Sequence, residues 1–207
     1  MFDARLQPWL RRVFEPPARA LAARGVRADT VTLLGFALGV SASAAIAAGG
    51  FKFGLALILA NRFADGLDGA MARATAPTAR GAFLDIALDF VFYGLVPLGF
   101  AFADPQRNAL PAAALLAAFL GTESSFLAFA AVAAQRGLKA PEFPHKGLYY
   151  LGGLTEGGET IAFLVAICFW PAAFPALASV FAALCLVTTL TRWRWGWRAF
   201  TPDDIGC

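Results

Sequence analysis

Charge is scarce in this chain: 15% of its 207 residues are Asp, Glu, Lys or Arg, against 59% that are hydrophobic. That balance excludes a disordered chain and sits poorly with a soluble domain of this size. Histidine occurs once, at His145, and the three cysteines, Cys168, Cys185 and Cys207, show no CxxC or CxxH spacing. A thiolate metal site and a disulfide framework are therefore not expected. The first apolar stretch is preceded by about 28 residues containing six arginines, so no cleavable signal peptide is expected either. What the chain does have is apolar runs long enough to cross a bilayer.

Six such runs are read at 30–49, 51–72, 82–103, 109–134, 157–171 and 174–191. Polar or glycine-proline breaks separate them: Ala48-Gly49-Gly50-Phe51-Lys52, Asp104-Pro105-Gln106-Arg107-Asn108, and Trp170-Pro171 with Pro175. Ahead of them, Phe2 to about Arg24 mixes Leu6, Trp9, Leu10, Val13 and Phe14 with Arg5, Arg11, Arg12 and Arg19, a pattern suited to the headgroup plane. Pro16-Pro17 predicts a break within it. The reading is an all-α integral membrane protein forming one domain over 1–207. It comprises an amphipathic interfacial segment (1–28), a bundle of six transmembrane helices (30–191) and a cytoplasmic tail (192–207).

Orientation follows from the basic residues. With the N-terminus in the cytoplasm, only Lys52 and Arg107 fall outside, and every other Lys and Arg except Arg62 lies on the inner side. Both termini are therefore expected to be cytoplasmic. Trp193, Trp195 and Trp197, alternating with arginines, fit an interface anchor, and no nucleic-acid partner is expected beside a bilayer.

Four aspartates interrupt these apolar runs. An Asp at mid-bilayer costs roughly 2.5–3.5 kcal/mol, so four reach on the order of 10 kcal/mol without compensation. Asp65 and Asp68 are i,i+3, and Asp85 and Asp89 are i,i+4, so each pair shares a helix face. Two such faces turned together make an all-oxygen cage of the kind that Mg²⁺ or Mn²⁺ prefers. Gly66, Gly69 and Arg73 follow at i, i+3 and i+7, where glycine admits a ligand and arginine can hold a phosphate oxygen. Intramembrane carboxylates also mark ion pathways, and an ion or proton transporter is the rival of another class. A transporter would place them at mid-membrane in broken helices. Here they cluster toward the cytoplasmic edge with an arginine beside them.

The pattern Asp65-x-x-Asp68-Gly69-x-x-Ala72-Arg73, then Gly81-x-x-x-Asp85-x-x-x-Asp89, resembles the signature of the CDP-alcohol phosphotransferase (CDP-alcohol phosphatidyltransferase) family. The Asp29-Thr30-Val31-Thr32 start of the first span agrees more loosely. One departure is the Arg73–Gly81 gap, seven residues where the family pattern has eight; it falls in a connecting loop that tolerates deletion. The resemblance implies a small bacterial inner-membrane enzyme with its active site on the cytoplasmic side, and by implication a homodimer. It implies metal ligation by Asp65, Asp68, Asp85 and Asp89, with Asp89 also the general base, and CDP contacts from Gly69, Ala72, Arg73 and Gly81. The expected reaction is phosphatidyl transfer from CDP-diacylglycerol to a small polar alcohol, releasing CMP, with two ions about 3.5–4 Å apart neutralising the diphosphate.

The acceptor is read from the loops. Arg80, Arg136, Lys139 and Lys146 would suit a phosphorylated alcohol such as glycerol 3-phosphate, although the positive-inside rule explains them equally well. Serine or an inositol-type alcohol is the alternative, with Glu156 and Glu159 either facing an amine or simply favouring a helix N-terminus. Arg62 is expected to pair with Asp65, and Glu123 either to pair with Arg62 or to line the pocket. His145 reads as an interface residue. Small residues at Ala112–Ala114, Ala117 and Ala118 would permit close helix packing.

Overall fold

A computed structural model describes residues 2–137 and 153–200, with backbone alone over 2–11. The described chain is helical throughout, in the order α1 (Phe2–Ala23), α2 (Ala28–Ala47), α3 (Phe51–Ala74), α4 (Ala79–Ala103), α5 (Pro105–Gln135), α6 (Gly157–Phe169) and α7 (Phe174–Ala199), with a 3₁₀ turn at Pro171–Ala173 before α7. The expected all-α membrane fold is borne out. Lys139, His145 and Lys146 lie outside the described residues.

Helix ends follow local chemistry. Gly49, at φ 81°, supplies the left-handed residue that turns the chain between α2 and α3. Thr78 caps α4 by accepting from the Gly81 amide at 3.0 Å, starting the helix three residues before the expected 82. Asp104 accepts from the Arg107 amide at 3.2 Å, and Pro105 occupies the first turn of α5. Glu156 and Glu159 form a reciprocal capping box on α6, the helix N-terminal role that was one of the two expected of them. The last helix runs on to Ala199, so the tryptophan-arginine stretch assigned to a tail is helical to that point.

Among the described residues, four stretches are long and apolar enough to cross a membrane: Ala28–Ala47, Ala79–Ala103, Pro105–Gln135 and Pro171–Ala199. α3 is long enough but carries Lys52, Arg62, Asp65, Asp68 and Arg73. α6, at 13 residues, extends only about 20 Å.

α2 packs on α3 and α4, α4 on α5, and α5 on α7, while α1 lies along α3. One end of the bundle is an apolar core of Ile46, Ile58, Phe92, Val96, Phe100, Leu115, Leu164 and Phe174, with the Phe100 and Phe174 rings stacked at 4.5 Å. α1 crosses Pro16-Pro17 unbroken, against the expected break. Tertiary packing offsets the lost backbone bonds: Ala18 is fully buried, and the Phe14 ring covers Gly66 so closely that a Cβ there would sit 2.7 Å from it. Gly66 therefore serves the α1–α3 contact, not the ligand approach expected of it.

Candidate active site

The i,i+3 and i,i+4 spacings turn one face of α3 toward one face of α4. Carboxylate oxygens of Asp65, Asp68 and Asp85 all come within 4.8 Å of one another. Thr32, Gly35 and Phe36 of α2 close the slot, whose free volume is about 10 Å³. Asp68 is 4% exposed, and its Oδ2 has no hydrogen-bond partner among the described residues. A buried, unsatisfied carboxylate oxygen is costly, and two more carboxylates beside it would worsen the repulsion. An oxygen-seeking divalent cation resolves both problems, so the residues present fit one.

Asp89 stands one turn further along α4 and is engaged elsewhere. Arg62 Nη2 donates to its Oδ1 at 2.6 Å and Arg62 Nη1 to its Oδ2 at 3.2 Å, a two-point fork. The expected pairing of Arg62 with Asp65 is present but looser, at 3.7 Å. Arg62 Nη1 also donates to the Tyr93 hydroxyl at 3.0 Å, and Nε to Asn61 Oδ1 at 2.7 Å. Asn61 in turn donates to the Gly35 carbonyl at 2.8 Å. The guanidinium lies over the Phe92 ring at 4.5 Å.

The other signature residues gather where α3 ends and α4 begins. Arg73 closes α3, with its Nη1 3.3 Å from where a Cβ on Gly69 would stand. Ala72 is half-buried beside it, and Gly81 lies across the 75–78 connection. Of the four cations expected to meet an acceptor, Arg80 and Arg136 lie among the described residues. Arg80 forms an ion pair with Asp29 at the start of α2, donating from Nε at 2.9 Å and also from Nη2. Arg136 ends α5 over the Phe200 ring at 5.2 Å.

A second, larger cavity of about 160 Å³ opens between α4, α5, the start of α6 and α7. Tyr93, Thr122, Glu123, Glu156 and Arg192 supply its polar wall. Thr188 of α7 fixes that wall, accepting from the Leu154 and Thr155 amides and from the Thr155 hydroxyl at 3.1–3.3 Å. Arg192, only 9% exposed, donates from Nη1 to the Thr122 carbonyl at 2.9 Å. Glu123 thus lines a pocket, one of its two expected roles. Arg192 was expected merely to mark the inner side. The signal that could have singled it out is the polar stripe Thr188, Thr189, Arg192 that follows the apolar run 180–187, matched on α5 by Thr122 and Ser125.

This fold and site define a membrane-embedded transferase. The family model for CDP-alcohol phosphatidyltransferase matches residues 26–193, and the chain belongs to that family. With it come transfer of substituted phosphate groups and dependence on a divalent metal. The inner membrane protein YnjF of Escherichia coli is 50% identical over 192 residues, 93% of each chain. An archaetidylinositol phosphate synthase of Methanothermobacter thermautotrophicus is 43% identical over 94 residues, covering 45% of this chain and 47% of the synthase. Among solved structures, the phosphatidylinositol phosphate synthase PgsA1 of Mycobacterium tuberculosis with CDP-DAG bound superposes with a TM-score of 0.67 at 25% identity, covering 95% of this chain and 98% of that one. The same enzyme with manganese and citrate gives 0.68 at 26% identity, covering 94% and 92%.

Proposed function

We propose that this protein transfers the phosphatidyl group of CDP-diacylglycerol to an inositol-type alcohol in the inner membrane, releasing CMP. The observation that carries the reading is the three-carboxylate cluster with Asp89 one turn beyond it. Asp65, Asp68, Asp85 and Asp89 are assigned to two divalent ions, Mg²⁺ or Mn²⁺, and Gly69, Ala72, Arg73 and Gly81 to the CDP moiety. Bound there, the ions would neutralise the diphosphate and ease departure of CMP. Asp89 accepts the proton of the acceptor hydroxyl while that oxygen bonds to the phosphatidyl phosphorus. The bond from this phosphorus to the bridging oxygen breaks, and CMP leaves with the electron pair. Holding both substrates in line, in a site of fixed charge, supplies most of the rate.

The acceptor is assigned to the 160 Å³ cavity, where Arg192 suits an anionic substituent and Glu123 and Thr122 suit ring hydroxyls. The names of the archaeal and mycobacterial synthases favour an inositol-type acceptor. Glycerol 3-phosphate loses part of its support because Arg80 is committed to Asp29. On this reading the site and both termini face the cytoplasm, and residues 1–207 form a single domain. Assembly as a homodimer would use the still exposed Ala113, Ala114 and Ala117, since Ala112 and Ala118 are buried within the protomer.

The test is a competition assay in membranes with labelled CDP-diacylglycerol, Mn²⁺ and a panel of inositol, inositol phosphate, serine and glycerol 3-phosphate. Release of CMP is expected with an inositol-type acceptor and should stop on chelation. Preference for glycerol 3-phosphate or serine would overturn the acceptor. No CMP release with any alcohol, together with cation flux in liposomes, would overturn the transferase reading.

A further inference from the structure

The four signature carboxylates are not equivalent, and the residue that divides them is Arg62, three positions before the signature begins. Its side chain is 9% exposed, inside a helix bundle at membrane depth, where a lone cation would be expelled. It is held on every side. Nε is fixed by Asn61, itself fixed to α2 through the Gly35 carbonyl; Nη1 and Nη2 fork Asp89; Nη1 also reaches Tyr93; and the Phe92 ring lies beneath the guanidinium. So many partners leave little rotamer freedom. This arginine is a fixed part of the wall. Three helices converge on it, and through the Tyr93 hydroxyl it joins the aspartate slot to the larger cavity.

We propose that Arg62 is the positioning residue of Asp89 and the resident counter-ion of the aspartate site. It fixes Asp89 by both carboxylate oxygens at the edge of the slot, and its charge moderates how strongly the site draws divalent cations. The inference rests on the reading of those aspartates as metal ligands. Geometry supports the first part: Arg62 meets both Asp89 oxygens within 3.2 Å, whereas its nearest approach to Asp65 is 3.7 Å. Charge supports the second. Arg62 sets one positive charge beside Asp89 and Asp65 before any ion arrives, and without it that compensation is lost to the site.

Mn²⁺ binding to the full-length protein in detergent, without substrate, tests this, followed by electron paramagnetic resonance of the free ion. Arg62→Gln is expected to bind Mn²⁺ about tenfold more tightly than wild type, from one uncompensated charge nearby. Arg62→Lys, which keeps the charge but cannot fork, should bind Mn²⁺ within about threefold of wild type. Its kcat should nonetheless fall by about tenfold or more, with KM for CDP-diacylglycerol little changed. In Arg62→Gln/Asp89→Asn the added neutralisation of Arg62 should make Mn²⁺ binding about tenfold tighter than in Asp89→Asn alone. Should Arg62→Gln fail to fold, the Lys variant and the double variant still decide the matter. Unchanged or weaker Mn²⁺ binding in Arg62→Gln, a double variant no different from Asp89→Asn alone, or full kcat in Arg62→Lys would each overturn the proposal. If wild type itself binds no Mn²⁺, the metal-site reading falls first, and the role of Arg62 falls with it.

Discussion

Two cavities among the described residues are built on opposite plans. The aspartate slot is tight, about 10 Å³, and its charged groups come from two adjacent helices within a 28-residue stretch, Arg62 to Asp89. The larger cavity is about 160 Å³ and draws Tyr93, Glu123, Glu156 and Arg192 from four segments spread over a hundred residues. Chemistry common to a family needs reacting groups fixed to each other, which short-range helix geometry does well. Choice of acceptor needs a wall that can be altered piece by piece, and dispersed residues permit that.

The comparison can be broken first at the slot. Asp68→Asn, at the buried carboxylate with an unsatisfied oxygen, is expected to lower kcat by roughly a thousandfold or more. A CMP-release assay reads it, and retention of a tenth of wild-type turnover would remove Asp68 from the ion site. Arg192→Ala should instead act on the second cavity. The expected outcome is a rise of about tenfold or more in acceptor KM with the KM for CDP-diacylglycerol unchanged, from loss of one charge-assisted bond. If both constants moved together, the two cavities would not be separable.

This difference also explains what could be read in the sequence. The aspartate faces were legible because i,i+3 and i,i+4 spacing fixes side-chain direction whatever the rest of the fold does. The six helices were found near their observed positions because apolar length and glycine-proline breaks are local signals. Arg192 was not singled out, since one arginine among several at a helix end looks like topology until Thr122 is seen 70 residues away in sequence. Arg62 was expected to serve Asp65, three residues on in the same helix. The stronger partner, Asp89, lies on another helix, and only packing discloses it. The Pro16-Pro17 break failed for a related reason: propensity is local, whereas Phe14 and Ala18 are held by α3.

Two smaller effects sharpen the contrast between site and scaffold. Gly66→Val should collide with Phe14 and destabilise the α1–α3 contact by about 1–3 kcal/mol, visible as a lower Tm. The Mn²⁺ affinity of the folded protein should change little, since Gly66 faces α1. Arg80→Ala removes an exposed ion pair with Asp29 and should cost about 1 kcal/mol or less. Acceptor KM is expected to stay within about threefold. A larger rise would return Arg80 to the acceptor site.

The brevity of α6 has a consequence for where water and lipid meet. Trp170, 65% exposed, follows its last turn and is the kind of side chain that settles at a membrane interface. With that end at one surface, a helix of 13 residues stops about 10 Å short of the other across a hydrocarbon layer of about 30 Å. The shortfall falls at Glu156 and Gly157, which wall the larger cavity. Two carboxylates capping a helix at that depth would require solvent to follow them down, and the bilayer boundary would then dip locally into a wet recess. A water-borne alcohol could descend there to the level of a lipid's phosphate while the donor's acyl chains remained in oil.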